Sequence, residues 1–220
     1  MITTEWWFAS NTNGFFISWW ENGVNYLGFT DVAHATSLGD GIFQPTWWGQ
    51  PTAVGEVQYD GDIDNYDTSY VAVDLTERGL AAQIYSWIEA GNTRWVIGAT
   101  TPAWFDDVSW IGIVTGYNSG TRREYVGCEY FPNNGEVYCG LYRALPDPYS
   151  GGEPGDSGGP VFQLDCANAV GGDTCSAVAV GTVTAKEIAA DGTVYILYTN
   201  IYAILGANGA SLKLYPSETG

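Results

Sequence analysis

The strongest constraint on the fold is a series of short apolar segments separated by turn residues. Segments rich in Val, Ile, Tyr, Trp and Thr alternate with Gly, Asn, Asp and Pro along the chain. This alternation is typical of the strands of a β-sandwich or β-barrel. The 15 tyrosines and 10 tryptophans also favour strands, because bulky aromatic side chains pack well on pleated surfaces. We therefore predict an all-β protein, with strands in segments such as "GFFISWW", "VNYLGFT", "TSYVAVDL", "SAVAVGTVTA" and "GTVYILYT".

One segment near the C-terminus, "TNIYAILGANG", predicts a short helix. Thr199 or Asn200 can cap its first turn, and a glycine at 206 or 209 can end it. Three apolar residues share one face of this helix: Ile201, Ile204 and Leu205.

The most linker-like interior stretch is "TTPAWFDDVS", residues 100–109. It divides the predicted strands into two sets of comparable size. We therefore expect two β-lobes, residues 1–99 and residues 100–220, which together form one structural unit. No repeat of fixed period is visible, and this argues against solenoids and propellers.

The charge balance excludes several kinds of partner. The chain has 7 basic and 25 acidic residues, a formal net charge of −18. Nucleic acids and anionic membranes are bound by clusters of Lys and Arg, so neither is an expected partner. The acidity itself fits solubility in an extracellular or salty medium. No run of eighteen apolar residues predicts a membrane span, and the start "MITTEWWFAS" does not resemble a signal peptide.

Four cysteines form an even set that predicts two local disulfides. If Asn133 and Asn134 form the turn of a hairpin in "CEYFPNNGEVYC", Cys128 lies directly opposite Cys139, within disulfide reach. The second pair, Cys166 and Cys175, brackets a polar loop and would close another short hairpin. Two such bridges indicate an oxidising compartment, so we expect a secreted protein.

A glycine-rich loop, "GGEPGDSGGPVF", surrounds Ser157 and matches two nucleophile patterns. The G-x-S-x-G elbow of α/β-hydrolases needs a histidine after the serine, but the only histidine, His34, lies upstream. An esterase on that fold is therefore disfavoured. The order His, Asp, Ser of two-barrel serine proteases remains open, because a serine hydroxyl needs an imidazole base and an orienting carboxylate.

Strand parity selects the carboxylate. In "DTSYVAVDL" the apolar face holds positions 71, 73 and 75, and side chains on one face recur every second residue. Counting back along that face reaches Ser69 and then Asp67. A buried carboxylate is expensive unless hydrogen-bonded, and the N–H of His34 would supply that bond. The neighbouring acids are interpreted as solvated: Asp60, Asp62, Asp64 and Asp74.

"EPGDSGGPVF" resembles the active-site serine loop of chymotrypsin-fold serine proteases, and its Glu-Pro is similar to the form in bacterial streptogrisin-like enzymes. "DVAHA" and "DTSYVAV" resemble the family's histidine and aspartate segments. Weaker similarity extends to "SGTRREYVGC", "VYCGLYR" and "TNIYAILGANGASL". The resemblance implies two six-stranded antiparallel β-barrels, a short C-terminal helix and an active site between the barrels.

The resemblance also implies a serine endopeptidase that works through an acyl-enzyme. Ser157 would attack a peptide carbonyl, His34 would transfer the proton, and Asp67 would orient His34. The N–H groups of Gly155 and Ser157 would form the oxyanion hole. No cofactor or metal is implied, and the expected protein is a monomer that acts on proteins or peptides. The alternative is a protease-fold protein that has lost activity and serves as a binding module.

Other positions near the site depart from the family pattern or leave a partner unassigned. Asp156 is implied to be a buried structural acid whose arginine partner stays open. Ala35 replaces the cysteine that usually follows the histidine. Asp31 stands where a small hydroxyl residue is common, and it is either a solvated loop acid or a local distortion of the site. The arginine candidates are Arg122, Arg123 and Arg143.

Substrate preference is only partly encoded in the loop. A trypsin-like pocket needs an acid at Gly151 or, with a two-residue insertion, at Tyr149, and neither supplies one. Tyr149 and Ser150 are candidates for the pocket floor. Lys186 would narrow the pocket, favour an acidic side chain or point to solvent. The pocket wall is expected from "VGTVTAKE", at Thr184, Ala185 and Lys186.

Overall fold

The computed structural model describes residues 12–44, 52–73, 82–86, 92–132, 134–148 and 150–215. These residues contain fourteen strands, two 3₁₀ turns and one short α-helix, so the all-β prediction is confirmed. The elements are β1 (Phe16–Glu21), β2 (Val24–Asp31), a 3₁₀ turn (Ala33–Ala35), β3 (Gly41–Gln44), β4 (Thr52–Asp60), a second 3₁₀ turn (Gly61–Asp64), β5 (Ser69–Val73), β6 (Gln83–Ser86), β7 (Asn92–Ala99), β8 (Asp107–Gly112), β9 (Gly116–Phe131), β10 (Glu136–Pro146), β11 (Pro160–Asp165), β12 (Ser176–Ile188), β13 (Val194–Asn200), α1 (Ile201–Ala207) and β14 (Ser211–Leu212).

The first sheet contains six antiparallel strands in the order β14-β1-β2-β5-β4-β3. Strand β5 lies between β2 and β4, and both of its faces are buried. Val71 and Val73 pack on one face with Phe29 and Val57. Tyr70 packs on the other face, against an apolar cluster of Ile17, Trp19 and Ile204. The alternation used to place Asp67 therefore separates two apolar clusters, not a core from solvent.

The second sheet closes on itself. Its strands run β11-β8-β9-β10-β13-β12, and pairing of β11 with β12 completes a six-stranded barrel. Large and β-branched side chains fill its interior, as expected for strands with one face turned inward. This barrel matches the predicted six strands. Its buried core includes Val108, Trp110, Val161, Val183, Ile196 and Tyr198.

The two sheets exchange strands near the predicted lobe boundary. Strand β7 pairs in parallel with β12, and β6 pairs with β7, although both precede residue 100. In the opposite direction, β14 follows the helix and pairs with β1 of the first sheet. The division into residues 1–99 and 100–220 stays a prediction.

The C-terminal helix lies where the sequence places it. Asn200 caps α1, and its side chain accepts the N–H of Tyr202 at 2.9 Å. Ile201 and Ile204 are buried, and this anchors the helix to both sheets. In the part of the chain that the structure describes, no helix has the length and apolar character needed to cross a membrane.

Both predicted disulfides form, Cys128 with Cys139 and Cys166 with Cys175. The first lies in the hairpin of β9 and β10, whose pairing ends before a loop of residues 132–135. Asn133, one of the two predicted turn residues, lies outside the described residues. This hairpin reaches the first sheet's side of the molecule, where the N–H of Cys139 donates to the carbonyl of Asn65 at 2.7 Å.

Candidate active site

His34 and Asp67 come together because β2 and β5 are neighbours in the first sheet. His34 lies in the 3₁₀ turn that follows β2, and Asp67 lies just before β5, with Asp31 and Ser69 paired between them. Nδ1 of His34 lies 2.9 Å and 3.0 Å from the two carboxylate oxygens of Asp67. The backbone N–H of His34 donates to the same carboxylate at 3.1 Å.

Burial differs sharply between the two partners. The Asp67 side chain is fully buried, whereas the His34 side chain is 27% exposed. A carboxylate accepts hydrogen bonds only, so the pairing orients Nδ1 as the donor and leaves Nε2 as the basic nitrogen. This arrangement can hold an imidazole ready to take a proton.

The loop that carries Ser157 is held against β12. The N–H of Gly158 donates to the carbonyl of Val183 at 2.8 Å, and the N–H of Val183 donates to the carbonyl of Gly159 at 2.9 Å. The hydroxyl of Ser157 donates to the carbonyl of Thr184 at 3.3 Å. The pairing of β12 with β13 shifts register at this point, so the strand bulges where it meets the serine.

Some backbone N–H groups of this loop are hydrogen-bonded within it, and others are not. The N–H of Asp156 donates to the carbonyl of Glu153, and that of Gly159 donates to the carbonyl of Asp156, both at 3.0 Å. Within the described parts of the chain, the N–H groups of Gly155 and Ser157 have no protein acceptor. Gly155 has a φ of 103°, a conformation that favours glycine. Two N–H donors thus remain available beside the serine hydroxyl.

Thr12 holds the peptide groups next to the two free donors. Its N–H donates to the carbonyl of Ser157 and its hydroxyl donates to the carbonyl of Gly155, both at 2.9 Å. The hydroxyl oxygen also accepts the N–H of Ile113 at 2.8 Å. The carbonyl of Gly155 shares its peptide plane with the N–H of Asp156, and that of Ser157 with the N–H of Gly158, so these contacts fix the peptide groups that follow the two free donors.

Asp156 is buried, as expected, but neutral groups surround it. Its carboxylate accepts the N–H groups of Val114 at 2.9 Å, Thr115 at 3.2 Å and Glu153 at 3.0 Å. The hydroxyl of Thr115 donates to it at 2.7 Å. A carboxylate satisfied by several donors needs no cation to be buried.

The predicted arginine partner of Asp156 is therefore wrong. Each candidate arginine has other contacts, and the four donors described above already occupy the carboxylate. Arg122 lies 4.9 Å from the ring centroid of Tyr142, Arg123 lies 4.8 Å from that of Phe105, and Arg143 forms an ion pair with Glu187 at 2.6 Å.

Asp31 is not a solvated loop acid, because it is only 2% exposed. Its Oδ1 accepts the N–H of Val32 at 2.8 Å. It also touches the serine loop, where a Cβ placed on Gly158 would lie 2.7 Å from Oδ1. Burial raises the pKa of Asp31 to about 7; the N–H of Val32 and the charge of His34 lower it, while Asp67 raises it.

The three residues predicted for the pocket wall differ in how they lie relative to Ser157. The Thr184 side chain is buried against Thr199, with the two hydroxyl oxygens 2.9 Å apart, so its carbonyl is the group that faces Ser157. Ala185 is half-buried. Lys186 is partly exposed and forms an ion pair with Glu153 at 3.1 Å, which joins β12 to the segment before the serine.

The predicted pocket floor is less clearly placed. The hydroxyl oxygen of Ser150 accepts the N–H of Ser119 at 3.2 Å, so this side chain is turned toward β9. Tyr149 lies outside the described residues. Near Ser150, a Cβ on Gly152 would lie 2.7 Å from Cδ1 of Ile196, so this core side chain packs against Gly152.

Solved structures resemble this chain over almost its whole length. Thermobifida fusca protease A has a TM-score of 0.68 and 20% identity, covering 93% of this chain and 91% of that chain. Cellulomonas bogoriensis chymotrypsin has a TM-score of 0.63 and 21% identity, covering 92% and 90%. A glutamic-acid-specific serine protease that uses a histidine triad in substrate binding has a TM-score of 0.68 and 16% identity, covering 92% of each chain.

The chain has the chymotrypsin-like fold. At these identities the comparison establishes architecture and leaves activity to the site itself. Comparison with protein-family models and with curated protein sequences gives no match. Within the described residues, no group of three or more His, Cys, Asp or Glu side chains is arranged to hold a metal ion.

Sequence reasoning missed Thr12 and Tyr138 at this site and left the burial of Asp31 open. Thr12 gave no signal, because a lone threonine near the start of a chain has no distinctive pattern. Tyr138, whose ring centroid lies 6.5 Å from that of His34, comes from a distant hairpin. The burial of Asp31 could have been found, because it shares a strand face with buried Phe29.

Proposed function

We propose that the protein is a serine endopeptidase in which His34, Asp67 and Ser157 form the catalytic triad. The observation that carries this proposal is the double contact of the His34 imidazole with the buried Asp67 carboxylate. His34 is the only histidine of the chain, so this one imidazole is committed to the site. The chymotrypsin-like fold supports the assignment as a fold-level analogy.

Peptide hydrolysis would begin with transfer of the Ser157 hydroxyl proton to Nε2 of His34. The serine oxygen bonds to the substrate carbonyl carbon, and a tetrahedral intermediate forms. The C–N bond then breaks as the imidazolium returns its proton to the leaving amine. Water, deprotonated by His34, cleaves the acyl-enzyme and restores Ser157. Asp67 stabilises the imidazolium in both halves of the cycle.

The negative oxygen of each tetrahedral intermediate would be bound by the N–H groups of Gly155 and Ser157. They are suited to this role because neither has a protein acceptor among the described residues. Each such donor typically contributes about 3–4 kcal/mol to transition-state stabilisation.

Substrate would bind as an added strand along β12. Beyond Thr182, the edge of β12 opposite β13 has no strand partner among the described residues. Extended peptides pair with such edges through their backbone, and this suits Thr184, Ala185 and Lys186 as partners of the substrate. The histidine triad with which the glutamic-acid-specific neighbour binds its substrate has no counterpart in a chain that contains one histidine.

The pocket beside Ser157 would accept uncharged side chains in preference to basic ones. No acid stands at Gly151, and the apolar side chain of Ile196 lies against the neighbouring Gly152. Lys186 is neutralised by Glu153 and so lends the entrance little net charge.

The two disulfides indicate that the protein functions in an oxidising compartment, and we infer that it is extracellular.

The alternative function is binding without catalysis. It is disfavoured because an inactive protein has no need of an imidazole, a buried carboxylate and a hydroxyl in the triad's chain order. Covalent labelling separates the two functions, because only an activated serine reacts quickly with a sulfonyl or phosphonyl fluoride.

The deciding experiment treats the folded protein with such a reagent and maps the adduct by mass spectrometry. We expect one adduct, on Ser157, that disappears in His34→Ala and persists in Ser150→Ala. Casein digestion should follow the same pattern. Folded protein that neither reacts at pH 8 nor cleaves casein would be a binding module.

The pH dependence of cleavage supplies a second test. Activity should fall as His34 takes up a proton in acid, because only the neutral imidazole accepts a proton from serine. A rate of cleavage that stays constant from pH 8 down to pH 4 is incompatible with His34 as the base.

A further inference from the structure

Asp31 has no part in the hydrolysis scheme above, yet it lies against both halves of the site. It ends β2, three residues before His34, and it is 2% exposed. Its Oδ1 lies close to Gly158, the residue after Ser157. The carboxylate is therefore buried where the histidine segment meets the serine loop.

Among the described residues, the charged groups that act on Asp31 are His34 and Asp67. His34 attracts its negative charge, and Asp67 repels it. The other described elements next to Asp31 contribute neutral groups: Ser69 across the β2–β5 pair and Gly158 in the serine loop.

The serine loop carries one further buried acid, Asp156. Its carboxylate is turned away toward Val114 and Thr115, which donate to it. It therefore does not face Asp31, and Asp31 is coupled electrostatically to His34 and Asp67.

A buried acid at this position needs a reason, because a neutral residue would be cheaper to bury. Within the described residues, Asp31 has one hydrogen bond, from the N–H of Val32, and burial brings its pKa to about 7. Perturbed acids with a specific charged partner are concentrated at functional sites. Here the charged partner is the catalytic base itself.

We propose that Asp31 is a positioning residue that acts through His34: its charge stabilises the protonated imidazole and so sets the pH at which His34 becomes a neutral base. Its consequence for catalysis rests on the peptidase function proposed above. An ionised Asp31 stabilises the imidazolium of the transition state, but it also keeps His34 protonated to a higher pH. The enzyme would gain rate at alkaline pH, where Asp31 is ionised, and lose rate near pH 7, where the charge of Asp31 begins to hold the proton on His34.

The test uses the only histidine of the chain as its reporter. The imidazole resonance is titrated by NMR in the full chain carrying Ser157→Ala, which prevents self-digestion, with and without Asp31→Asn. Asparagine keeps an oxygen for the N–H of Val32 and removes the charge. We expect the titration midpoint of His34 to fall by about one pH unit, as for loss of a nearby opposite charge.

The matched control is Asp64→Asn, which removes an equal charge from an exposed position three residues before Asp67. This control should move the midpoint by no more than about 0.2 pH units, because exposed charges are screened. Equal midpoints in the parent and Asp31→Asn proteins overturn the proposal. Asp31→Ser repeats the measurement if the asparagine variant does not fold.

Activity provides the second readout, with Ser157 restored. Asp31→Asn should move the acid limb of kcat/KM down by the same shift and lower its alkaline plateau about threefold to tenfold. A plateau that falls with no shift of the limb overturns the proposal and indicates a structural role. If the NMR midpoint moves in a protein that cleaves nothing, the Asp31 assignment stands and the peptidase function fails.

Discussion

Two carboxylates are buried beside the serine loop, and they are held very differently. Asp156 accepts three backbone N–H groups and the Thr115 hydroxyl, whereas Asp31 accepts the N–H of Val32. The donors around Asp156 compensate for the water it loses, but burial raises the pKa of Asp31 to about 7. The number of donors, more than depth of burial, distinguishes the well-satisfied acid from the poorly satisfied one.

The largest expected effect comes from removing the well-satisfied acid. Asp156→Ala leaves four donors without an acceptor, and we expect a loss of about 5 kcal/mol in the free energy of unfolding. Urea unfolding at pH 7 measures it. Asp147→Ala is the control, since that exposed acid accepts the Ser119 hydroxyl at 2.6 Å and its removal should cost less than about 1 kcal/mol. Similar losses of unfolding free energy in Asp156→Ala and Asp147→Ala would contradict the claim that the donors around Asp156 make it a structural acid.

Removing the poorly satisfied acid should have the opposite sign. The pKa of Asp31 is raised from 3.8 to about 7 on folding, so the folded state holds a proton that the unfolded state has lost between these values. The contribution of Asp31 to the free energy of unfolding therefore decreases as pH rises from 4 to 7, by about 4 kcal/mol, and Asp31→Asn lacks this decrease. Its stability relative to wild type should rise by that amount between pH 4 and pH 8 in urea titrations. A constant difference across this range would show that Asp31 stays charged.

Thr12 connects the surroundings of the two acids, and its loss should have a smaller effect. Its hydroxyl accepts the N–H of Ile113, next to a donor of Asp156, and donates to the carbonyl of Gly155. Thr12→Val keeps the shape and removes both bonds, so we expect about 2 kcal/mol of lost stability and roughly tenfold lower kcat/KM. Thr101→Val removes a hydroxyl that accepts from Asn200 at 3.1 Å and should leave kcat/KM unchanged. Equal kcat/KM in the Thr12→Val and Thr101→Val variants would show that Thr12 does not help to position the N–H groups of Gly155 and Ser157.

The smallest effect is expected at the exposed ion pair of Glu153 and Lys186. The N–H of Glu153 donates to Asp156, while its side chain holds Lys186 at 3.1 Å. Surface pairs of this kind contribute less than about 1 kcal/mol. Glu153→Gln should free the ammonium group and raise kcat/KM for peptides with acidic side chains about threefold, whereas Lys186→Ala should not. Identical peptide preferences in both variants would place Lys186 away from the substrate.

Local periodicity predicted more of the site than the charge pattern did. Two-residue alternation placed Asp67 on an inward face, and the hairpin spacing paired Cys128 with Cys139, because both depend on neighbours along one or two strands. The same alternation links Phe29 to Asp31, but the end of a strand resembles the start of a solvated loop. Part of the cover over Asp31 comes from Gly158, which is distant in sequence.

The partners of Asp156 illustrate what a sequence alone does not encode. The resemblance implied a buried acid at Asp156 and suggested an arginine as its partner, but backbone N–H groups near residue 115 satisfy the carboxylate instead. Every residue except proline carries such a donor, so no residue type marks the place. The parallel pairing of β7 with β12 is equally hidden, because it depends on strands about 80 residues apart.

The short strand β14 has a consequence for how the protein folds during its synthesis. It pairs with β1 through Leu212 and Ile17, and just before it the carbonyl of Ile204 accepts the Tyr70 hydroxyl from the middle of the first sheet. During synthesis, the N-terminal sheet leaves the ribosome long before the segment that completes its edge. The two sheets therefore cannot mature one after the other, and the final native contacts form only when the last residues of the described chain have been released.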